Sequence, residues 1–286
     1  MDLIAVTGVP GGLGSGVARH LVDLGAKVRL VARNPSRVPA DLDGDVVAGS
    51  YADEAAMVAA FTGADTVFLV SGREAIDRLE HHRTAVTAAT RAGVRKVVYT
   101  SFLGASPDAT FVLARQHFHT EQFLRQSGMR FVALRDSMYT DFIPYLAGKD
   151  RVIRGPAGNG AVSWVTRADI AAAAAGALTT DQHDDSILDL TGPEAVSLSE
   201  TAARLGRLIG RPVEYHEETE EEAYASRASY GAPDWEVEGW VTSYQAIANG
   251  ELAAVSDWVE TLTGRPAQSM EDFLTDHPDS YQHLLD

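Results

Sequence analysis

Residues 1–21 read MDLIAVTGVPGGLGSGVARHL, and the fold turns on how they are read. Gly8, Gly11, Gly12 and Gly14 separate an apolar run, LIAVT, from a stretch with Leu13, Val17, Leu21 and Leu24 at helical spacing. Gly25 closes that stretch as a glycine at a helix C-terminus does. Strand, glycine loop and helix in this order predict a phosphate loop for a dinucleotide. Glycine permits the tight turn, lets backbone N–H groups reach the pyrophosphate, and lets helix and strand pack closely. The helix N-terminus then presents its dipole to the phosphates. The loop residues assigned to the cofactor are Thr7, Gly8, Pro10, Gly11, Gly12, Leu13 and Gly14. Their glycine spacing is G-x-x-G-x-x-G, which carries weight only because of where it stands.

That place is the start of an alternating series. KVRLVAR, DVVAGS, ADTVFLVSG, RKVVYTS and MRFVALR read as strands two to six. Between them lie a helix from Asp53 to Phe61 capped by Asp53, a long helix ending at Ala92 before Gly93, and a helix from Phe111 to Ser127 before Gly128. Strands alternating with helices over short connections predict an α/β fold, a Rossmann-type doubly wound parallel sheet. The rhythm changes near residue 150, where GPAGNG is rich in turn residues. Residues 1–150 are therefore read as the dinucleotide-binding domain. Residues 151–286 are read as a smaller, mostly helical substrate subdomain, with DDSILDLTG as a strand able to return to the main sheet. IAAAAAGAL is too short to span a bilayer and reads as a buried helix. Ser197 to Glu200 is a capping box opening a helix from Thr201 to Leu208, and the acidic run EETEEE reads as a solvated helix start. Trp235, Trp240, Tyr244 and Trp258 are read as core, with the substrate cleft as the alternative.

Composition limits the function. The chain has 286 residues, 45% of them apolar, a formal net charge of −16 and no cysteine. Disulfides, thiolate catalysis and cysteine-based metal sites are excluded. Such negative charge disfavours nucleic acid as a partner. No basic region followed by a long apolar stretch opens the chain, so the expectation is a cytoplasmic protein without a membrane partner, monomeric or homodimeric. No histidine spacing predicts a catalytic metal.

An acidic residue at the end of the second strand would hold the ribose of NAD; Arg33 stands there instead, in RLVARNPSR. A guanidinium matches a phosphate with its planar fork, so Arg33 is assigned to the 2′-phosphate of NADP(H), with Arg37 as the weaker candidate. An ordinary surface role for both arginines is the alternative.

TGVPGGLG, VRLVARNPSR, AGVRKVVYTSFLGA, LARQHFHTEQFLRQSGMRFVALRDSMYTDFI and ILDLTGPEAVSL together resemble the NmrA-like branch of the atypical short-chain dehydrogenases/reductases. Within it the chain is most similar to the NAD(P)H:quinone oxidoreductase type 2 group, over nearly its whole length. The resemblance implies a Rossmann domain with a small C-terminal substrate domain. It covers both reductases of quinones or related carbonyl compounds and redox-sensing regulators that bind the nucleotide.

Short-chain dehydrogenases usually carry Tyr-x-x-x-Lys, the tyrosine giving a proton to the carbonyl as hydride arrives. Tyr145 to Lys149 matches that spacing but lies after the sixth strand, outside the helix where the pair belongs. By fit to the family pattern, His117 stands at the lysine position, Glu121 four residues on, and Leu113 at the tyrosine position. Thr100 and Ser101 remain at the end of strand five. The candidates for chemistry are thus His117, as a proton source near neutral pH or a ribose contact, with Ser101 and Tyr139. The cofactor set adds Val70, Ser71, Gly72, Thr100, Ser101 and His117. After strand six the resemblance leads one to expect Arg-Asn-Gly-Trp-Tyr; the chain has Arg135, Asp136, Ser137, Met138 and Tyr139. Ligands in such sheets bind beyond the carboxyl ends of the strands. The expected substrate cleft is bounded by Ser71, Phe102, His117 and Tyr139, with Phe102 and Tyr139 flanking a flat ring. Two readings follow. One is an NADPH-dependent reductase of quinones or conjugated or aromatic carbonyl compounds. The other is a non-catalytic NADP(H) sensor acting through a protein partner.

Overall fold

In the computed structural model, residues 2–285 are described. β1 (Leu3–Thr7), α1 (Gly12–Asp23), β2 (Lys27–Ala32), β3 (Asp45–Ala48) and α2 (Glu54–Phe61) form the first half of the nucleotide fold. β4 (Thr66–Leu69), α3 (Arg78–Arg91), β5 (Lys96–Phe102), α4 (Val112–Gln126) and β6 (Arg130–Asp136) form the second. The Asp53 side chain accepts the Ala56 N–H and starts α2. A short turn of helix, α5 (Ile143–Leu146), leads to β7 (Val152–Gly155) and β8 (Ala161–Val162). Then come α6 (Arg167–Leu178), β9 (Ser186–Leu190), β10 (Val196–Ser197), α7 (Leu198–Ile209) and β11 (Glu214–Glu217). The chain ends in α8 (Glu220–Arg227), α9 (Asp234–Ala248), α10 (Trp258–Thr263) and α11 (Met270–Asp276).

Seven strands make one parallel sheet in the order β3-β2-β1-β4-β5-β6-β9. The order reverses between β1 and β4, which opens a crevice at their carboxyl ends. Each face of the sheet has its own core. Val6, Phe68, Val98, Val132 and Leu134 pack under α1 and α6. Ala5, Val67, Leu69, Val97, Tyr99 and Ala133 pack under α2, α3 and α4. The alanine-rich stretch is α6, and it lies close on α1: a Cβ at Gly16 would stand 3.0 Å from that of Ala171.

Chain order and layer part company after residue 150. Residues 167–190 return to the large sheet as α6 and β9, as the DDSILDLTG strand implied. A separate core joins β7, β8, α7, α9 and α11 through Ile153, Val162, Leu205, Ile247 and Phe273. Its two small sheets pair β7 with β11 and β8 with β10, and the sequence reading had none of these four strands. They are short, and their partners lie tens of residues away, so no local period marks them. Glu217, which opens the acidic run, ends the strand β11, and α8 begins only at Glu220. The reciprocal capping box is also elsewhere. Ser197 accepts the Glu200 N–H, but the Glu200 carboxylate turns to Arg204, whereas Thr219 and Glu222 cap one another in both directions. Trp240, Tyr244 and Trp258 pack against core clusters, and Tyr244 fills the space a Cβ at Gly155 would need.

Candidate active site

A groove of about 630 Å³ runs along the carboxyl ends of β1, β2 and β4. Of the predicted cofactor residues, Thr7, Gly8, Pro10, Gly11, Arg33, Arg37, Val70, Ser71 and Gly72 line it. The glycines have separate reasons. Gly8 has φ +67° and a Cβ there would stand 3.1 Å from Val70 Cβ. Gly14 is buried, and a Cβ there would meet Gly8 O at 2.5 Å; it sets helix against loop rather than touching the groove. Leu13 likewise packs in the core under α1. The Gly11 N–H donates to Gly8 O at 2.9 Å and closes the turn, and Gly12 is exposed at the start of α1.

Thr7 joins the loop to the sheet. Its hydroxyl donates to Phe68 O and accepts the Val70 N–H, each at 3.0 Å. Tyr51, in the groove floor, donates to Val70 O at 2.8 Å and touches the Thr7 hydroxyl at 2.5 Å. Burial pushes the Tyr51 phenol well up, so it stays a neutral donor.

The charge around the groove is opposite to that of the whole chain. Arg33, Arg37, Arg73 and Arg78 line it against a single carboxylate, Asp77. The nearby Arg19 and Arg29 are taken by Asp41 and Asp45, whereas Arg33 and Arg37 have no ion-pair partner among the described residues. Arg33 follows the last residue of β2. These residues fit a dinucleotide with an added phosphate, NADP(H). The turn-forming backbone and α1 N-terminus suit the pyrophosphate, and an unpaired guanidinium stands where NAD would need a carboxylate.

Past β4 the site becomes buried. The Ser71 N–H donates to Thr100 Oγ1 at 2.7 Å, and the Gly72 N–H donates to His82 Nε2 at 2.8 Å. An N–H can only donate, so His82 Nε2 is bare and Nδ1 carries the hydrogen, facing Thr120 Oγ1 at 2.8 Å. Burial first, then the charges of Arg78 and His81, push His82 down to about 3. The Tyr99 hydroxyl lies 2.9 Å from His117 Nδ1. Arg78 is 3% exposed, donating from Nε to Gln116 Oε1 at 2.6 Å and from Nη2 to Leu113 O at 2.9 Å. Its guanidinium therefore braces the turn of α4 that carries Leu113 and His117. Sequence reasoning missed Tyr51, Arg78 and His82. The one signal was polar residues one helical turn apart on an otherwise apolar face, Arg78 with His82 on α3 and Gln116 with Thr120 on α4.

The remaining candidates take different places. His117 is buried, and burial, then Arg78 and His82, hold its pKa well below the ordinary histidine value. Of its two expected roles, a proton source near neutral pH or a ribose contact, burial disfavours the first; the ring packs between Tyr99 and Phe102 at centroid distances of 5.9 and 6.1 Å and does not line the groove. Ser101 donates to Glu121 Oε1 at 2.6 Å, and Glu121 grips Arg135 through two contacts of 2.8 Å. Thr100 and Ser101 are accordingly supports, outside the groove lining. Phe102 packs edge-on to Phe111, while Tyr139 stacks on Phe142 with the Arg167 guanidinium over both rings. Neither Phe102 nor Tyr139 lines the arginine groove; they stand further along the same carboxyl edge, at the end of β5 and just after β6. Tyr145, of the rejected Tyr145–Lys149 match, is exposed and stacks on His283.

Residues 8–181 match the profile of a family described as NAD(P)H-binding. The chain is 34% identical over 285 residues to the (4-alkanoyl-5-oxo-2,5-dihydrofuran-3-yl)methyl phosphate reductase of Streptomyces griseus, covering 98% of this chain and 99% of that one. It is 32% identical over 279 residues to quinone oxidoreductase 2 of Escherichia coli, covering 94% and 96%. The crystal structure of that oxidoreductase complexed with NADPH superposes with a TM-score of 0.88, at 31% identity over 96% of this chain and 99% of that one. The NADP(H) complex of a triphenylmethane reductase from Citrobacter sp. gives 0.86, at 29% identity over 96% and 99%. The fold and the groove thus define an NAD(P)H-binding oxidoreductase of the Rossmann type. Within that class, the chain belongs to the NmrA-like family, near quinone oxidoreductase type 2.

Proposed function

We propose that the protein is an NADPH-dependent reductase that transfers hydride to a quinone or a related conjugated or aromatic carbonyl compound. The observation that carries this reading is the arginine-lined groove, with Arg33 unpaired at the end of β2 in an otherwise acidic protein. The relatives support the acceptor class: one is named a quinone oxidoreductase and another a triphenylmethane reductase. When bound, the reduced nicotinamide supplies the hydride. The chain's own residues bind and orient. Arg33 holds the 2′-phosphate with Arg37 as a weaker outer charge, the loop from Gly8 to Gly12 and the α1 N-terminus hold the pyrophosphate, and Ser71 and Gly72, fixed by Thr100 and His82, border the path to the nicotinamide. Leu113 replaces the usual tyrosine and the neutral His117 the usual lysine, so an alcohol-dehydrogenase mechanism is not available on α4. A quinone tolerates that loss, because the anion left by hydride addition is stabilised by its ring. Phe102 and Tyr139 border the acceptor, with residues 151–286, apart from α6 and β9, as the substrate side, in a cytoplasmic protein that is monomeric or homodimeric.

Calorimetry with NADPH and NADH, followed by NADPH oxidation with benzoquinone and naphthoquinone, tests this. Tighter NADPH binding and steady turnover are expected. Bound NADPH with no turnover across a broad quinone and aromatic ketone panel removes the reductase and leaves the nucleotide sensor.

A further inference from the structure

Quinone reduction leaves an anion that must take up a proton, and the residue ending β6 is built to hold one. Asp136 is 1% exposed. Its Oδ2 accepts the Tyr139 hydroxyl at 3.2 Å, and its Oδ1 has no hydrogen-bond partner among the described residues. In register it lies between Phe102 of β5 and Leu190 of β9, at the carboxyl edge of the sheet where the acceptor is placed. The cations nearby are engaged elsewhere. Arg135 is gripped by Glu121, with Asp189 as a further charge beside it. Arg167, reaching in from α6, lies over the Tyr139 and Phe142 rings with Asp141 as its carboxylate. No basic side chain makes an ion pair with Asp136 among the described residues. A buried carboxylate with neither cation nor hydrogen bonds to one of its oxygens is unfavourable, so the group keeps its proton. Burial raises its pKa well above the carboxylate range, and burial, then Asp136 itself, raises the Tyr139 phenol as well. The expected family residue here, asparagine, has the same shape and no proton to give.

We propose that Asp136 is the proton reserve of the site, acting on the acceptor through the Tyr139 hydroxyl. The inference rests on the reductase reading above. Hydride from the reduced nicotinamide brings two electrons and one hydrogen, leaving the acceptor with one negative charge. The Tyr139 Oη–H bond breaks as its proton bonds to the acceptor oxygen. For this the resting hydrogen bond, in which Oη–H donates to Oδ2, reverses as the phenol hydrogen turns to the acceptor: the carboxyl proton, now on Oδ2, is donated to Oη, the Oδ2–H bond breaks as a new Oη–H bond forms, and the carboxylate regains its proton from solvent after product leaves. Tyr139 is the group that meets substrate; Asp136 acts through it as a positioning and proton-holding residue.

Two variants, Asp136→Asn and Tyr139→Phe, test this, first without cofactor. The infrared difference between native protein and Asp136→Asn at pH 7 should contain a protonated carboxyl band that shifts in D2O. The folded state keeps this proton at pH values where the unfolded chain releases it, so the contribution of Asp136 to native stability falls as pH rises above about 4. The melting temperature of Asp136→Asn should therefore gain on that of the native protein between pH 4 and pH 7, by roughly 2–4 °C or more. In turnover with NADPH and a naphthoquinone, both variants should lose roughly 100-fold in kcat with NADPH affinity unchanged. No carboxyl band and a constant melting difference would show an ionised Asp136 and overturn the proposal even in an active reductase. Native turnover that Asp136→Asn leaves unchanged also overturns it alone. Native protein without turnover overturns the reductase reading and the relay with it, whatever the infrared band shows.

Discussion

The nucleotide end and the acceptor end of the sheet's carboxyl edge hold charge in opposite ways. At the nucleotide end Arg33, Arg37 and Arg73 are exposed on loops, with no ion-pair partner among the described residues. Further along the edge charge is buried: Arg78 is held by the neutral acceptors Gln116 Oε1 and Leu113 O, and the other charges are paired or suppressed. Glu121 and Arg135 neutralise one another, and burial lowers the pKa of His82 and His117 and raises that of Asp136. Exposed, unpaired cations recognise a ligand that brings its own negative charge. A buried, hydrogen-bonded lattice instead fixes the shape of the backbone, as suits the uncharged acceptor proposed above. Substitutions at the first end should therefore weaken binding and spare the fold, and those at the second should do the reverse.

The sharpest break is expected at Glu121. Removing one member of a buried ion pair strands the other, here with the Ser101 hydroxyl left unsatisfied as well. Glu121→Ala should lower unfolding free energy by about 3–5 kcal/mol in chemical denaturation. Stability within 1 kcal/mol of native would mean that the pair is not a structural support. At the other end, Arg33→Ala should weaken NADPH binding by about 1.5–3 kcal/mol, leaving NADH affinity and melting temperature nearly unchanged. Equal losses for both dinucleotides would detach Arg33 from the 2′-phosphate.

The same contrast explains what could be read from sequence. The glycine loop, Arg33 and the end of β4 are runs of adjacent residues, and their chemistry follows from their place after a strand. The strands and helices of the large sheet were legible for the same reason: each carries its own period and its own stop, as at Gly93 and Gly128. The acceptor end is assembled from β5, β6, α3 and α4. Nothing near His82 in the chain says that it accepts the Gly72 N–H, or that Thr120, 38 residues on, receives its hydrogen. His117 looked titratable because its burial depends on Tyr99 and Arg78, which the local pattern does not show. The β7–β11 and β8–β10 pairs escaped notice by the same logic, being short segments defined by distant partners.

The histidines give the comparison a pH axis. His82 titrates near 3 in the fold, against an ordinary value of 6.5. Between those values the unfolded His82 binds more protons than the folded one, so the contribution of His82 to stability is full above about pH 6.5 and is lost as pH falls toward 3. The slope is roughly 1.4 kcal/mol per pH unit for each such group. His82→Gln keeps an acceptor for the Gly72 N–H and removes the titration. Its melting temperature should change less between pH 7 and pH 5 than that of the native protein. An unaltered slope would mean that His82 is protonated in the fold and that the Gly72 contact is absent at low pH.

The smallest effect is expected at Arg37, and it decides how far the nucleotide end extends. Arg37 closes the short turn Pro35–Arg37, which Asn34 caps through the Ser36 N–H, so it stands beyond Arg33 along the groove wall. An exposed guanidinium on this turn meets a phosphate in high dielectric, where a charge contact contributes under about 1 kcal/mol and is screened by salt. Arg37→Ala should therefore raise the NADPH dissociation constant by less than about fivefold in low salt, and the difference should shrink as ionic strength rises. Should Arg37→Ala match Arg33→Ala in size and resist salt, the two arginines form one clamp, and the phosphate lies deeper in the groove than the end of β2 alone would place it.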